Sequence, residues 1–315
     1  MSTPRADRLR LLAAFAAVYI VWGSTYLAIR IAIETIPPLL QAGARFLVAG
    51  TIVLAAARVR GLAWPRSTEW RTAAIVGVLM LTGGNGGVSW AETRVPSGLA
   101  ALIVGAVPLF TVAIDALRPG GTRPGRATML GLLIGFVGVG VLVNPAASDS
   151  ARIDPAGAAV LLVACASWSA GGLYSRHARG AAPMMGAGAN MLAGGVGLVL
   201  LGTLTGEVAG FDPARVSASS LAALAYLVVF GSLIGFTAYL FLLHHTTPAK
   251  ATTYAYVNPV VAILLGWALL DEPLTARVLA AAAIIILAVV MITTGPAIRA
   301  WLKTRTPGAA APPAS

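Results

Sequence analysis

Ten runs of 17 to 23 mainly apolar residues follow one another along this chain, and they constrain its fold more than any other feature. They are Leu11–Ile29, Leu39–Ala57, Thr72–Trp90, Gly98–Ala116, Ala127–Val143, Ala156–Leu173, Met184–Leu204, Leu221–Leu243, Ala251–Leu270 and Val278–Thr294. A helix rises ~1.5 Å per residue, so such a run crosses a hydrocarbon core of ~30 Å. In lipid the backbone must satisfy its own N–H and C=O groups, and continuous apolar runs of this length do so as helices. The sequence predicts an all-α polytopic membrane protein with ten transmembrane helices. Charged residues make up only 10% of the 315, against roughly 25% in a soluble domain. The connections are mostly shorter than fifteen residues and rich in Pro and Gly, as turns between antiparallel helices are. Residues 1–10 and 296–315 form tails, the second rich in Pro and Ala and expected to be disordered.

The net charge of +11 would suggest nucleic acid as a partner of a soluble protein, but here the basic residues gather at the ends of apolar runs. Placing the N-terminus in the cytoplasm puts sixteen Lys and Arg on that side and five on the other, with Arg45 inside a span. The opposite orientation would invert this bias, so both termini are expected in the cytoplasm and the lipid bilayer, not nucleic acid, is the expected partner. Arg5, Arg8 and Arg10 before an apolar run imitate a signal peptide, but no Ala-x-Ala site follows promptly and the run is long enough to stay as a helix. The single cysteine, Cys165, lies in an apolar run and allows no internal disulfide.

The chain also echoes itself. At an offset of 146 residues, Trp22 matches Trp168, Leu27 matches Leu173, Arg30 matches Arg176 and Pro37 matches Pro183. Pro96–Phe110 resembles Pro248–Ala262, with Pro108 against Pro259 one residue out of step. Five spans per half is an odd number, so the halves, 11–146 and 156–295, are expected to insert upside-down relative to each other. Inverted repeats of this kind build transporters, with a site at the repeat interface.

Polar residues inside the spans are the candidate site. Trp22, Gly23, Ser24 and Thr25 fall near the middle of the first span, where polar groups are costly unless they face protein or water. Trp22 and Tyr26 share a helical face and Thr25 flanks it. Trp22, Ser24, Thr25, Tyr26 and Trp168 are therefore cavity candidates, with helix packing as the alternative for the two tryptophans. Arg45 lies inside the second span and either snorkels to the outer interface, balances an anionic group, or pairs with Glu92 or Glu34 as a gate. Gly83–Glu92 lacks the strand and lysine of a nucleotide loop, and its glycines suit a flexible or tightly packed helix with Asn85 and Trp90 facing a cavity. In helix 9, Tyr254 and Asn258 precede Pro259, which removes an N–H bond to Ala255 and predicts a kink; Pro108 predicts another in helix 4. These kinks either free backbone groups for a solute or are filled by neighbouring helices.

No metal site is expected. His244 and His245 point apart on a helix and no third ligand has suitable spacing. There is no nucleophile–base grouping and no pair of midplane carboxylates. Asp115 lies near the cytoplasmic end of helix 4 and the midplane is almost free of titratable groups. This argues against obligatory proton coupling through a buried carboxylate and leaves uniport, exchange, or coupling through Glu92 near the outer end of helix 3.

The motif VWGSTYLAIR of helix 1, Pro96 and Pro108 of helix 4, TYAYVNPVVA of helix 9 and the DEPLT that follows together resemble the EamA branch of the drug/metabolite transporter superfamily. The resemblance covers about Leu11 to Thr294. It implies a ten-helix inverted fold that exports or exchanges small metabolites such as amino acids or drug-like compounds, without a cofactor. Members commonly carry a Glu after helix 4, as Glu272 follows helix 9 here, but this chain has Arg118-Pro119-Gly120-Gly121 instead. The sequence is read as an inner-membrane exporter working by alternating access, as a monomer or homodimer. An intramembrane lipid-modifying enzyme and a channel-like membrane protein are the alternatives.

Overall fold

The computed structural model describes residues 4–121, 124–144, 153–246 and 253–305. The described residues contain helices and no strands. In chain order the long helices are α1 (Leu9–Ala32), α2 (Pro38–Val59), α3 (Ser67–Ala91), α4 (Ser97–Leu117), α5 (Arg126–Val143), α6 (Pro155–His177), α7 (Pro183–Leu204), α8 (Ala218–Tyr239, continuing to residue 245), α9 (Tyr254–Leu270) and α10 (Ala276–Arg305). Seven of them are long and apolar enough to cross a membrane, and the described parts of α5, α9 and α10 are shorter apolar helices. Large apolar side chains stand exposed around the bundle, among them Ile52, Phe136, Leu200 and Trp267, as lipid-facing surfaces require.

The helix starts follow local chemistry. Pro38, Pro155 and Pro183 open α2, α6 and α7, where a missing N–H costs nothing. Asp154 Oδ1 accepts from Gly157 N at 2.7 Å and Ser217 Oγ from Ser220 N at 3.1 Å, satisfying first-turn donors of α6 and α8. Two helix starts instead recruit a distant carboxylate. Glu207, in a single turn after α7, accepts from Leu39 N at 3.0 Å and Leu40 N at 3.1 Å. Glu272, after α9, accepts from Ser97 N at 2.6 Å, Ser97 Oγ at 2.8 Å and Gly98 N at 2.8 Å. Asp271 reaches it there by taking a left-handed φ of 52°, and Glu272 N bonds back to Gly266 O at 3.1 Å.

The main packing joins the first half of the chain to the second: α2 with α7, α3 with α6 and α7, α4 with α9 and α6, α5 with α10, and α1 with α8 and α9. Glycines allow the close approaches. A Cβ on Gly77 of α3 would lie 2.5 Å from Asn190 O and 2.7 Å from Gly194 N of α7. A Cβ on Gly50 of α2 would lie 2.8 Å from Leu192 N. In hydrocarbon, such small-residue contacts supply the packing that water would otherwise drive.

Three helices contain wide π-helical turns: Ala17–Val21 in α1, Gly77–Gly86 in α3 and Leu227–Ile234 in α8. The glycine-rich run of helix 3 is therefore a π segment, a form that periodicity does not predict. The two proline expectations divide. α4 breaks at Gly105–Ala106 and restarts with Pro108 in its first turn, whereas α9 runs through Pro259 without interruption. The proline ring lies against α4, since a Cβ on Gly105 would be 2.8 Å from Pro259 Cγ. α10 also extends well past Thr294, to Arg305.

Gly77→Ala should destabilise the detergent-solubilised protein by about 1–3 kcal/mol, because its new methyl meets backbone that cannot retreat. Gly172→Ala of α6 meets nothing within 4 Å, so it should be neutral or stabilise by up to about 1 kcal/mol through helix propensity. Thermal unfolding of both variants measures the difference; equal shifts would contradict this packing.

Candidate functional site

α1, α8 and α9 meet around the predicted Trp22. Its indole N–H donates to Gly231 O at 3.1 Å, a carbonyl of the π segment in α8. Its ring contacts Tyr254 edge-on at 5.0 Å between centroids and Tyr239 at 5.3 Å, and the two tyrosines meet at 5.8 Å. Tyr19 OH and Thr253 Oγ1, 2.5 Å apart, tie the neighbouring turns of α1 and α9. Asn258 is buried, and with its amide nitrogen turned toward them it donates to the carbonyls of Tyr19 and Tyr254 at 3.3 Å. The half-buried Trp22 and Tyr254 thus form a three-ring cluster with Tyr239, and Asn258 fastens α9 to α1 beside it.

The other residues of the first-helix motif turn elsewhere. Ser24 Oγ lies 2.7 Å from Tyr226 OH, whose ring stacks on Phe230 at 4.9 Å. Thr25 is buried and bonds back to Trp22 O at 2.6 Å. Tyr26 packs against the large core formed with α4 and α6. Arg45 neither snorkels outward nor pairs with Glu92 or Glu34. It is buried within α2, and its Nε donates to Ser232 Oγ of α8 at 2.9 Å. The expected gate pair fails because Arg45 points into α8, while Glu34 stays exposed after α1.

α3 and α6 meet at a second junction that carries a tryptophan. Trp168 packs over Gly84, whose Cβ would lie 3.0 Å from Trp168 Cε3. Ser167 Oγ donates to Leu79 O at 2.7 Å, a carbonyl of the π segment in α3. Asn85 on that segment is half-buried and makes no side-chain hydrogen bond. Ser169 Oγ donates to Val107 O at 3.1 Å and receives Thr111 Oγ1 at 3.0 Å, beside the break in α4.

At the bundle end opposite the N-terminus, Arg30 of α1 donates through Nη1 to Glu92 O. Arg30, Glu34, Arg94 and Glu272 line an open cavity of about 480 Å³ there. Trp90 stands at this mouth under the guanidinium of Arg94, 4.8 Å from its ring centroid. No group of three or more metal-ligating side chains occurs among the described residues. His244 and Tyr256 side chains, Arg123, Arg152, Lys250 and Thr252 lie outside what is described.

One family matches this helical membrane bundle twice along its length. The model of the EamA-like transporter family covers residues 9–144 and again 155–294. The chain belongs to that family. Among its relatives is the Escherichia coli K12 protein named "Uncharacterized inner membrane transporter YedA", 41% identical over 288 residues that cover 91% of this chain and 92% of that protein. Another, from Streptantibioticus cattleyicolor, is named "Probable terminal-alkyne amino-acid exporter" and is 27% identical over 82% of this chain and 85% of its own. A solved crystal structure superposes with a TM-score of 0.61 at 20% identity, covering 90% of this chain and 97% of that one. The protein is therefore a membrane transporter of the EamA type.

In this EamA-like transporter the least comfortable polar groups are Glu92 and Gln41. Glu92 is fully buried, and neither carboxyl oxygen has a hydrogen-bond partner. It is the first residue past the span ending at Ala91. Burial holds its carboxyl well above the usual carboxylate range; Glu272 nearby adds to this and Arg30 opposes it. Tyr19, Tyr226, Tyr239 and Ser232, the partners of Thr253, Ser24, Trp22 and Arg45, escape sequence reasoning, because their neighbours in sequence do not distinguish them. Helical spacing from Trp22 and Arg45 says nothing about which residues of α8 face them.

Because folding raises the Glu92 value, the folded state holds a proton that the unfolded state has released once pH passes the ordinary glutamate value of about 4.3. The stabilisation is complete below that value and is lost as pH rises from it toward the folded-state value. Glu92→Gln removes the proton while keeping the shape. Its unfolding temperature in detergent should fall less than that of the wild type between about pH 5 and about pH 8. Parallel profiles would mean that Glu92 is not a proton-holding site.

Proposed function

We propose that this EamA-like transporter exports small organic solutes, amino-acid-like or amphiphilic and drug-like, by alternating access across the plasma (inner) membrane. The observation that carries this reading is the crossing of α4 and α9. At the end away from the N-terminus the two helices are in close contact: a Cβ on Gly98 would lie 2.9 Å from Ile263 Cα, and Glu272 bonds the first turn of α4. Past Gly105, α4 restarts at Val107 and packs on α6, α5 and α10. A pair of helices sealed at one end, with a break in one of them next to the seal, suits a carrier whose gate opens and closes there. The break at Gly105–Ala106, Pro108 and Pro259 lie together beside that seal, so they serve as the hinge.

The architecture on this reading is ten transmembrane helices in two inverted five-helix repeats, 11–146 and 156–295, with short cytoplasmic tails. Its support is the twofold match of the family model and the contacts of Trp22 on α8 and Trp168 on α3. The solute passes between the polar faces of α1, α3, α8 and α9, with Trp22, Ser24, Asn85, Trp168 and Tyr254 as its neighbours. Thr25, Tyr26, Trp90 and Asn258 hold those faces in place. Glu92 is the group through which protons couple to the cycle. The relative named as an amino-acid exporter favours the amino-acid-like class. The working unit is a monomer or homodimer.

Two measurements test the reading. Reporter fusions after Arg60 and at the C-terminus should report cytoplasm, and one after Glu207 the opposite side; a C-terminus outside would contradict the five-plus-five arrangement. In proteoliposomes the protein should show saturable counterflow of labelled amino acids or amphiphilic cations, and Trp22→Ala should lower it at least about tenfold with expression retained. Flux that never saturates would indicate a channel, and chemical conversion without flux an enzyme.

A further inference from the structure

The charge of Arg45 has no counter-charge. The residue is 7% exposed, lies on α2 between its ends, and bonds one side-chain atom, Ser232 Oγ, through Nε. One face of its guanidinium lies 4.8 Å from the Phe46 ring centroid. Its two terminal nitrogens make no hydrogen bond, and no carboxylate lies within ion-pair distance among the described residues. They stand where α1, α2 and α8 meet: a Cβ on Gly231 would be 3.0 Å from Arg45 Nη2 and 3.1 Å from Thr25 Cγ2. Any larger side chain at 231 would push the guanidinium away. One helical turn earlier on the same face, Gln41 is fully buried with both amide atoms unpartnered.

A buried charge with one neutral hydrogen-bond partner and no counter-charge is costly, and more so at membrane depth. Here the same helix face also carries Gln41, buried with both amide atoms unsatisfied. We propose that Arg45 and Gln41 form an anion-receiving subsite that binds the carboxylate of the transported solute. The free edge of a guanidinium, with Nε already taken by Ser232, presents its two terminal N–H groups to a planar carboxylate in the forked geometry that suits it. The Gln41 amide supplies a further donor and an acceptor, which fits a carboxylate beside an ammonium or hydroxyl. One positive charge with no second basic side chain in contact matches a monoanion rather than a phosphate dianion. The inference rests on the transporter reading above and adds the chemical class of the solute.

The test uses the full-length protein in proteoliposomes and detergent, with a matched panel: the common L-amino acids, their decarboxylated amines, their methyl esters, and carboxylate-free amphiphilic cations. Each is measured by thermal shift and by counterflow. The expected result is that bound or carried solutes bear a free carboxylate, with the amine and ester at least about tenfold weaker. Arg45→Gln should weaken the carboxylate solute about tenfold or more and erase its advantage over the ester, and Arg45→Lys should fall between. If Arg45→Gln does not fold, acid against ester in the wild type and in Arg45→Lys still decides. Transport that treats acid, ester and amine alike, or an Arg45→Gln affinity within twofold of wild type, overturns the subsite and leaves the transporter reading intact. Transport of carboxylate-free cations alone does the same. No binding or flux of any panel member overturns the carboxylate assignment and also counts against the transporter reading.

Discussion

In hydrocarbon, every main-chain N–H and C=O must find its partner in the protein, and much of this structure is an answer to that one requirement. Regular helices meet it along their length but leave donors at their starts and acceptors wherever a wide turn interrupts the ladder. Some of each kind are closed here by side chains from the opposite half of the chain. Carbonyls in the π segments of α8 and α3 receive Trp22 and Ser167, from α1 and α6. The starts of α2 and α4 receive the carboxylates of Glu207 and Glu272. Wide turns are thus stable in lipid because a partner helix completes them, and they offer a transporter places where helix geometry can change at small cost.

The same exchange binds the first half of the chain to the second. α2 and α3 lie against α7 with backbone near backbone at Gly50, Gly77 and Gly194, an approach that only glycine allows. Without water to drive helices together, such contacts and the cross-half hydrogen bonds are the available sources of association energy. The close α2–α3–α7 contact stands beside an α4 that gives up its helical continuity at Gly105–Ala106, against the ring of Pro259.

Much of this was legible in the residues. Span lengths and the confinement of polar groups fix the membrane class, and VWGSTYLAIR with TYAYVNPVVA points to the family to which the chain belongs. Trp22, Tyr254 and Asn258 do come together, at the junction of α1 and α9. What was not legible depends on which faces meet. By residue type Arg45 suits an acid such as Glu92 or Glu34, yet its partner is Ser232, an ordinary residue of an apolar run 187 positions away. Pro259 lies inside an α9 that stays helical on both sides of it, while the interruption of the helix falls in α4, at Gly105–Ala106 against the Pro259 ring. The π segments leave no trace in composition or spacing, because they differ from α-helix only in which carbonyl each N–H chooses.

The absent glutamate after α4 has a structural consequence. At the end away from the N-terminus, Glu272 binds α4 at its first two residues with three charge-assisted hydrogen bonds, each stronger than its neutral equivalent. At the other end, the corresponding place holds Arg118, which folds back on Asp115 at 2.5 Å and reaches His177 of α6 at 3.1 Å. An arginine cannot accept from helix N–H groups, so it cannot cap the start of α9 as Glu272 caps α4. α4 is therefore tied to α9 at one end and to α6 at the other. A carboxylate at both places would bind the two ends alike; with it on one side only, the Glu272 end gains a set of bonds that the opposite end lacks. The asymmetry between the two ends of α4 therefore follows from this one residue choice, an acceptor of helix N–H groups at one end and a donor at the other.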